Sequence, residues 1–270
     1  MRVAVNTLPG PHCRLRSHEA EFLAKVLRTA KAVMPDIEIR ILVDEETGPH
    51  FPGFELLHAP ARRRLLGGGP LADALRECSA DVLLSPLGLA LAKSPLPQVL
   101  FALDTALFEA DAPRQNAAQR LRAARSACAE ARRLVVTSEY LRRRCLDLFE
   151  APLNKVTVAP PGVDDGFGES HPPLVELPYL LLVQSPLTEA AVTTLRHTLQ
   201  PHQGEGPTVV VLGPWEDDPA QWPDLIQFEQ CSDAHRTSLY QHATCCIYPA
   251  EHDGCALRLI EMMRAGALIA

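Results

Sequence analysis

The residues whose types and spacing best support chemistry lie near the end of the chain. Asp253 and Glu261 stand eight positions apart, with Gly254-Cys255-Ala256-Leu257 between them. A strand-like run ends at Tyr248, a Gly-containing loop follows, and a helical pattern begins at about Ala256 or Leu257. Such a loop turns backbone N–H groups and the positive end of a helix toward an anion, which suits a diphosphate. One carboxylate precedes the helix and the other lies just inside it. That spacing lets one acid reach a sugar hydroxyl while the other reaches the ribose of a nucleotide. Two isolated acids of this kind are also what an ordinary surface carries, so the surrounding residues decide.

Those residues resemble glycosyltransferase family 4. Asp253 stands at the first acid and Glu261 at the second of its Glu-x7-Glu motif. Gly254-Cys255-Ala256-Leu257 takes the place of the family's Gly-Phe-Gly-Leu, and Glu261-Met262-Met263-Arg264-Ala265-Gly266 that of Glu-Ala-Met-Ala-x-Gly. Upstream, Leu239-Tyr240-Gln241-His242-Ala243 is similar to Leu-Tyr-x-x-Ala. Val136-Thr137-Ser138-Glu139-Tyr140, and then Lys155 to Asp164 with Pro160-Pro161-Gly162-Val163-Asp164, follow the family's domain junction. The resemblance runs in order along nearly the whole chain. It implies an α/β GT-B fold, two Rossmann-like domains facing a cleft, and retaining transfer of a sugar from a nucleotide diphosphate sugar. It further implies catalytic roles for Asp253 and Glu261, with Asp253 on the donor sugar and Glu261 on the ribose. The N–H groups of Gly254, Cys255 and Ala256, with Leu257 beside them, would hold the phosphates. Asp104 is the acceptor-side residue.

Several positions depart from the pattern. Leu103-Asp104 stands where the family has His-Asp, which removes a polar group on the acceptor side. Val183-Gln184-Ser185 and Glu189-Ala190 replace the family's Gly-Arg and Lys. Losing two cations beside a diphosphate should weaken donor binding. The loop Thr7-Leu8-Pro9-Gly10-Pro11-His12 lacks the usual Gly-rich run, and Arg14 or Arg16 is the nearest substitute anion contact. A slow transferase, or a binding and scaffold protein of the same fold, is the alternative these departures favour. A nicotinamide oxidoreductase would need GxGxxG after the first strand, and Asn6-Thr7-Leu8-Pro9-Gly10-Pro11 does not supply it.

The elements that must position these residues alternate as a parallel sheet with crossover helices requires. Strand-like runs fall at 2–6, 38–43, 54–57, 82–85, 98–102, 134–137 and 155–159, then at 179–183, 208–212 and 245–248. Helical patterns span 17–34, about 114–131, 139–149, about 189–199, 234–242 and 257–265. In the first helix Phe22, Leu23, Val26, Leu27, Ala30, Val33 and Met34 form one stripe, with Ser17 as its N-cap. The stretch 166–177 is poor in apolar residues and reads as a linker between an acceptor-side domain, 1–165, and a donor-binding domain, 178–270.

The net charge of −7 argues against a surface that coats nucleic acid. No run approaches the ~20 apolar residues of a membrane span. Arg62-Arg63-Arg64 and Arg142-Arg143-Arg144 are solvated faces or a peripheral contact with anionic lipid. The eight cysteines form no framework and suit a reducing cytoplasm, and the ten histidines make no metal-binding set. No metal and no cofactor is therefore expected. The partners are a nucleotide sugar and a glycan, lipid or small-molecule acceptor. Family members continue past 266–270, so the second domain is expected to be incomplete. An exposed apolar patch beside 267–270 and weak stability after residue 177 would follow.

Overall fold

Strands buried on both faces of a parallel sheet read as continuous apolar runs, and Tyr179-Leu180-Leu181-Leu182-Val183 and Thr208-Val209-Val210-Val211-Leu212 do so in the computed structural model of the protein. The structure describes residues 1–9, 13–15, 17–58, 74–75, 78–105, 108, 117–176, 178–183, 208–213, 225–229, 231–249 and 255–270. The chain divides into two compact units, Met1–Pro160 and Pro161–Ala270.

The first unit is built on seven parallel strands: β1 (Arg2–Asn6), β2 (Glu38–Val43), β3 (Glu55–His58), β4 (Val82–Pro86), β5 (Gln98–Ala102), β6 (Arg133–Val136) and β7 (Val156–Val158). Their order is β3-β2-β1-β4-β5-β6-β7. The order reverses between β1 and β4, and ligands of open α/β sheets bind beyond the strands' carboxyl ends at such a reversal. Three helices are described: α1 (Ser17–Val33), α2 (Ala117–Glu130) and α3 (Glu139–Phe149). Ser138 caps α3, its hydroxyl accepting from the Leu141 N–H at 3.1 Å, and Leu141, Cys145 and Phe149 turn inward at every fourth residue.

The buried stripe of α1 is Ala20, Leu23, Ala24 and Leu27, narrower than the sequence pattern implies. Val33 is 75% exposed, and Val26 and Met34 are exposed as well. The stripe that faces the sheet follows i, i+3, i+4, i+7 from Ala20, which leaves Val26 off its edge. α1 begins at Ser17, so that residue is its first helical position rather than its cap.

Polar side chains gather where the strands end. Asn6 is fully buried, and its amide donates to Ser85 Oγ at 3.2 Å and to the Leu89 carbonyl at 2.8 Å. Its own Oδ1 accepts from the Leu8 N–H at 3.2 Å. Thr7 donates to the Leu42 carbonyl at 2.7 Å and lies 3.3 Å from Thr47 Oγ1. The loop that leaves β1 is thus tied to β2 and β4 on either side.

Among the described residues of the second unit are four parallel strands, β8 (Tyr179–Val183), β9 (Thr208–Leu212), β10 (Leu225–Phe228) and β11 (Cys245–Ile247), in the order β10-β9-β8-β11. The run at β10 was not expected from its sequence, because Leu-Ile-Gln-Phe is too short to show a period. A further parallel bridge joins Cys246 to Ile269 outside β11. Two helices, α4 (Asp233–His242) and α5 (Leu257–Ala265), cover one face with Leu239, Tyr240 and Met262. The helix expected at 189–199 lies outside the described residues.

The stretch 166–176, expected as a linker, is docked on α4. Phe167 and Val175 enter the core, despite the segment's overall polarity. Ser238 donates to the Pro172 carbonyl at 2.6 Å, and Gln241 donates to the Glu169 carbonyl at 2.7 Å while accepting from the His171 N–H. At the end of the chain Ala267 and Ile269 pack against the same core, whereas Leu268 is 68% exposed.

Replacing Asn6 by Ala orphans three partners of a buried amide, so a loss of roughly 1–3 kcal/mol is expected. Urea denaturation followed by far-UV dichroism measures it. An unchanged midpoint would show that water satisfies those groups equally well.

Candidate active site

The helix α5 has no side-chain cap at its start and no acidic residue in its first turn. Its capping residue, Ala256, adopts a left-handed conformation with φ 49° and ψ 30°. This conformation costs an L-residue roughly 1–2 kcal/mol. It is the position at which the family's motif carries its second glycine, so the backbone keeps the turn although the residue has changed. Cys255 and Leu257 flank it, both half-buried. Asp253 and Gly254 lie outside the described residues, as do Ser185 and Ala190.

Glu261 sits in the second turn of α5 with its side chain only 2% exposed. Its Oε2 accepts from Arg258 Nη1 at 3.0 Å and from the Tyr240 hydroxyl at 3.3 Å, with Arg236 Nε at 3.6 Å. Arg236 is itself buried, its side chain 7% exposed. Its guanidinium pairs with Asp233, donates to the Cys231 carbonyl at 3.2 Å and lies 5.7 Å from the centre of the Phe167 ring. Phe167 in turn stacks on Tyr240 at 6.3 Å. Burial pushes the Tyr240 phenol far above its usual range, and the Glu261 charge beside it pushes the same way. Tyr240 therefore remains a hydrogen-bond donor at any physiological pH.

Two arginines and a phenol thus converge on one carboxylate oxygen. Helical spacing brings Arg258 to Glu261 at i, i+3 and sets Arg236 and Tyr240 one turn apart on α4. Neither arginine was anticipated as a site residue. The signal was present in Arg236 and Tyr240 at i, i+4 before a strand and Arg258 three residues ahead of Glu261. A basic residue in a helix is otherwise read as surface.

Asp104 belongs to the first unit, immediately beyond β5. With Leu103 it lines a crevice whose other walls include Arg14, Glu19, Leu87, Leu89 and Phe108. The crevice opens at the carboxyl ends of β4 and β5. Apolar groups dominate its wall, and Leu103 extends them. Among the described residues no cluster of three or more His, Cys, Asp or Glu side chains is arranged to hold a metal ion. Among the same residues no helix is long and apolar enough to cross a membrane.

Residues 8–167 match the family profile described as Glycosyltransferase Family 4. The chain belongs to that family. The match takes in β2 to β7 and the Asp104 crevice and ends at Phe167, before β8, so Arg236, Tyr240, Arg258 and Glu261 lie beyond it. No protein of curated function matches the sequence. Among solved structures, Anabaena HepE in complex with UDP-glucose superposes with TM-score 0.67 at 12% identity, over 100% of this chain and 79% of that one. Sucrose-phosphate synthase from Thermosynechococcus elongatus superposes with TM-score 0.66 at 11% identity, over 99% and 80%. The catalytic domain of starch synthase IV from Arabidopsis thaliana, bound to ADP and acarbose, gives 0.61 at 10% identity, over 99% and 82%. The fold of this family 4 glycosyltransferase is GT-B, with two Rossmann-like domains.

Ala256→Gly should stabilise the second unit by roughly 0.5–1 kcal/mol, the left-handed strain relieved exceeding the extra chain entropy of glycine. Arg236→Met should destabilise it by about 3 kcal/mol, because a buried carboxylate loses a counter-charge. Thermal unfolding of both variants measures the two effects, which carry opposite signs.

Proposed function

We propose that this family 4 glycosyltransferase moves a sugar from a nucleotide diphosphate sugar to a glycan, lipid or small-molecule acceptor with retention of configuration. One observation carries the donor side of the proposal. A carboxylate is held in the second turn of the helix that follows the β11 loop, at the position to which the motif assigns the ribose. A carboxylate accepts both ribose hydroxyls without needing a proton of its own. The uncapped start of α5 suits the diphosphate, and Asp253 is assigned to the donor sugar by the motif alone. The nucleotide in HepE and in starch synthase IV supports a nucleotide-sugar donor here. Neither a metal nor a cofactor enters the proposal; Arg258 is the cation in the first turn of α5.

The acceptor side is assigned to the crevice at Asp104. Leu103, with Leu87, Leu89 and Phe108 around it, supports a second reading, a protein that binds donor but transfers slowly or not at all. A cytoplasmic enzyme touching the membrane from outside the bilayer is part of the same proposal. The eight free thiols and the exposed Arg143 on α3 support it, although Arg142 is taken by Glu139 at 2.9 Å.

A screen of UDP-, ADP- and GDP-sugars for thermal stabilisation tests the donor assignment. A ligand at 100 times its Kd should add about 2.7 kcal/mol. A failure of every nucleotide sugar to shift the midpoint would remove the proposal. Hydrolysis of the donor that binds, followed by NMR of the released sugar, separates the two readings. Prompt release with the anomeric configuration kept supports the transferase, an inverted product rejects retention, and binding without turnover supports the slow or inactive protein.

A further inference from the structure

Glu261 cannot serve a ribose in the arrangement described above, because its side chain is 2% exposed and its Oε2 already accepts from Arg258 and Tyr240, with the Arg236 guanidinium 3.6 Å away. If the donor assignment is right, one of the groups around the carboxylate must leave when nucleotide binds. Among the described residues three side chains meet it: Arg236, Tyr240 and Arg258. Arg236 is held by Asp233, by the Cys231 carbonyl and by the Phe167 ring, with 7% of its side chain exposed. Tyr240 is fully buried between Phe167 and the core of the second unit. Arg258 differs from both. Its side chain is 25% exposed, and it rises from the first turn of α5.

That position is electrostatically unusual. A cation in the first turn of a helix opposes the helix dipole, and this first turn holds no acid to offset it. The contact with Glu261 is the compensation in the free protein. An anion arriving at the start of α5 would offer Arg258 a further partner, and a phosphate accepts a guanidinium in two parallel hydrogen bonds.

We propose that Arg258 is a donor-binding residue that changes partners. In the free protein it covers Glu261. With nucleotide diphosphate bound it swings to a diphosphate oxygen and uncovers Glu261 Oε2 for the ribose hydroxyls. Arg236 and Tyr240 stay in place and act as positioning residues, keeping the carboxylate oriented through the exchange. No covalent step is involved. The inference rests on the assignment of Glu261 to the ribose. It adds a residue, a movement and a cation for the diphosphate that the sequence pattern does not supply at positions 185 and 190.

The test uses the full chain and isothermal titration with UDP, ADP and GDP, taking the tightest binder forward beside its nucleoside and its 2′-deoxy diphosphate. In Arg258→Gln the diphosphate should bind roughly 10-fold or more weakly, since a charge-assisted contact is lost. The nucleoside should bind as well as to the native protein or a few-fold better, because the cover over Glu261 is gone. Opposite responses of the two ligands are not what general damage to the fold produces. Arg258→Lys, which keeps the charge, should restore part of the diphosphate affinity, and thermal unfolding checks that both variants fold. Equal weakening of nucleoside and diphosphate in folded Arg258→Gln, or no change in either, would overturn the exchange. The 2′-deoxy ligand addresses the underlying assignment on the native protein. Indifference to the missing hydroxyl would mean that Glu261 does not hold the ribose, and the exchange would fall with it. Sensitivity to that hydroxyl together with indifference to Arg258→Gln would reject the exchange alone. Binding of none of the three diphosphates to the native protein rejects both.

Discussion

A carboxylate withdrawn from water loses solvation worth several kcal/mol and must recover it from neighbouring charge and hydrogen bonds. Glu261 meets that requirement by drawing three separate pieces of the second unit together. α4 contributes Arg236 and Tyr240, α5 contributes Arg258, and the turn Asp165–Gly168 contributes Phe167 beneath the Arg236 guanidinium. Arg236 then reaches out to the half-exposed Asp233 on its own helix, so the buried Arg236–Glu261 pair is linked to a charge at the surface. The same set of contacts explains why the segment after Pro160 is docked instead of free. Phe167 fills the floor of the cluster, and the backbone that follows it is bonded to Ser238 and Gln241 on the outer side of α4.

The first unit solves a different problem with neutral groups. Its strands end in Asn6, Thr7 and Ser85, all buried, and each finds a partner on a neighbouring strand or loop. Asn6 uses both ends of its amide, which is how one side chain can bind β1, β4 and the loop beyond β1 at once. A wall of this kind needs no charge. The crevice at Asp104 is mostly apolar, with Arg14 and Glu19 as the other charged groups in its wall.

Much of the fold was legible in the sequence because parallel strands advertise themselves as short apolar runs. Ten of the eleven described strands fall where such runs occur, and the exception, β10, is too short for a pattern. The helix α3 begins at the residue after Ser138, as capping chemistry requires. The stripe of α1 was only partly legible, since Val26 and Val33 are apolar by type yet exposed, and periodicity cannot tell a boundary residue from a core one. The linker at 166–176 was misjudged for a related reason. Composition averages over a segment, whereas Phe167 and Val175 act singly. At the candidate site the motif led to Glu261 and to the left-handed turn at Ala256. It did not extend to Arg236, because its spacing from Tyr240 is visible in the sequence but a basic residue on a polar helix is read as surface.

The thiols give each unit an internal reporter. Cys128 on α2 and Cys145 on α3 are buried in the first unit, and Cys246 is buried in the second, with burial pushing each thiol up to about 12. A thiol in that state reacts with a disulfide or maleimide reagent only while its surroundings are open, because the thiolate is the attacking species. Labelling rates at the three positions therefore record the opening free energy of two separate cores within one molecule, and they do so without an added probe. Mass spectrometry of the labelled peptides would resolve the first unit from the second in a single sample. A nucleotide that orders only the donor side should slow Cys246 and leave the other two as they were.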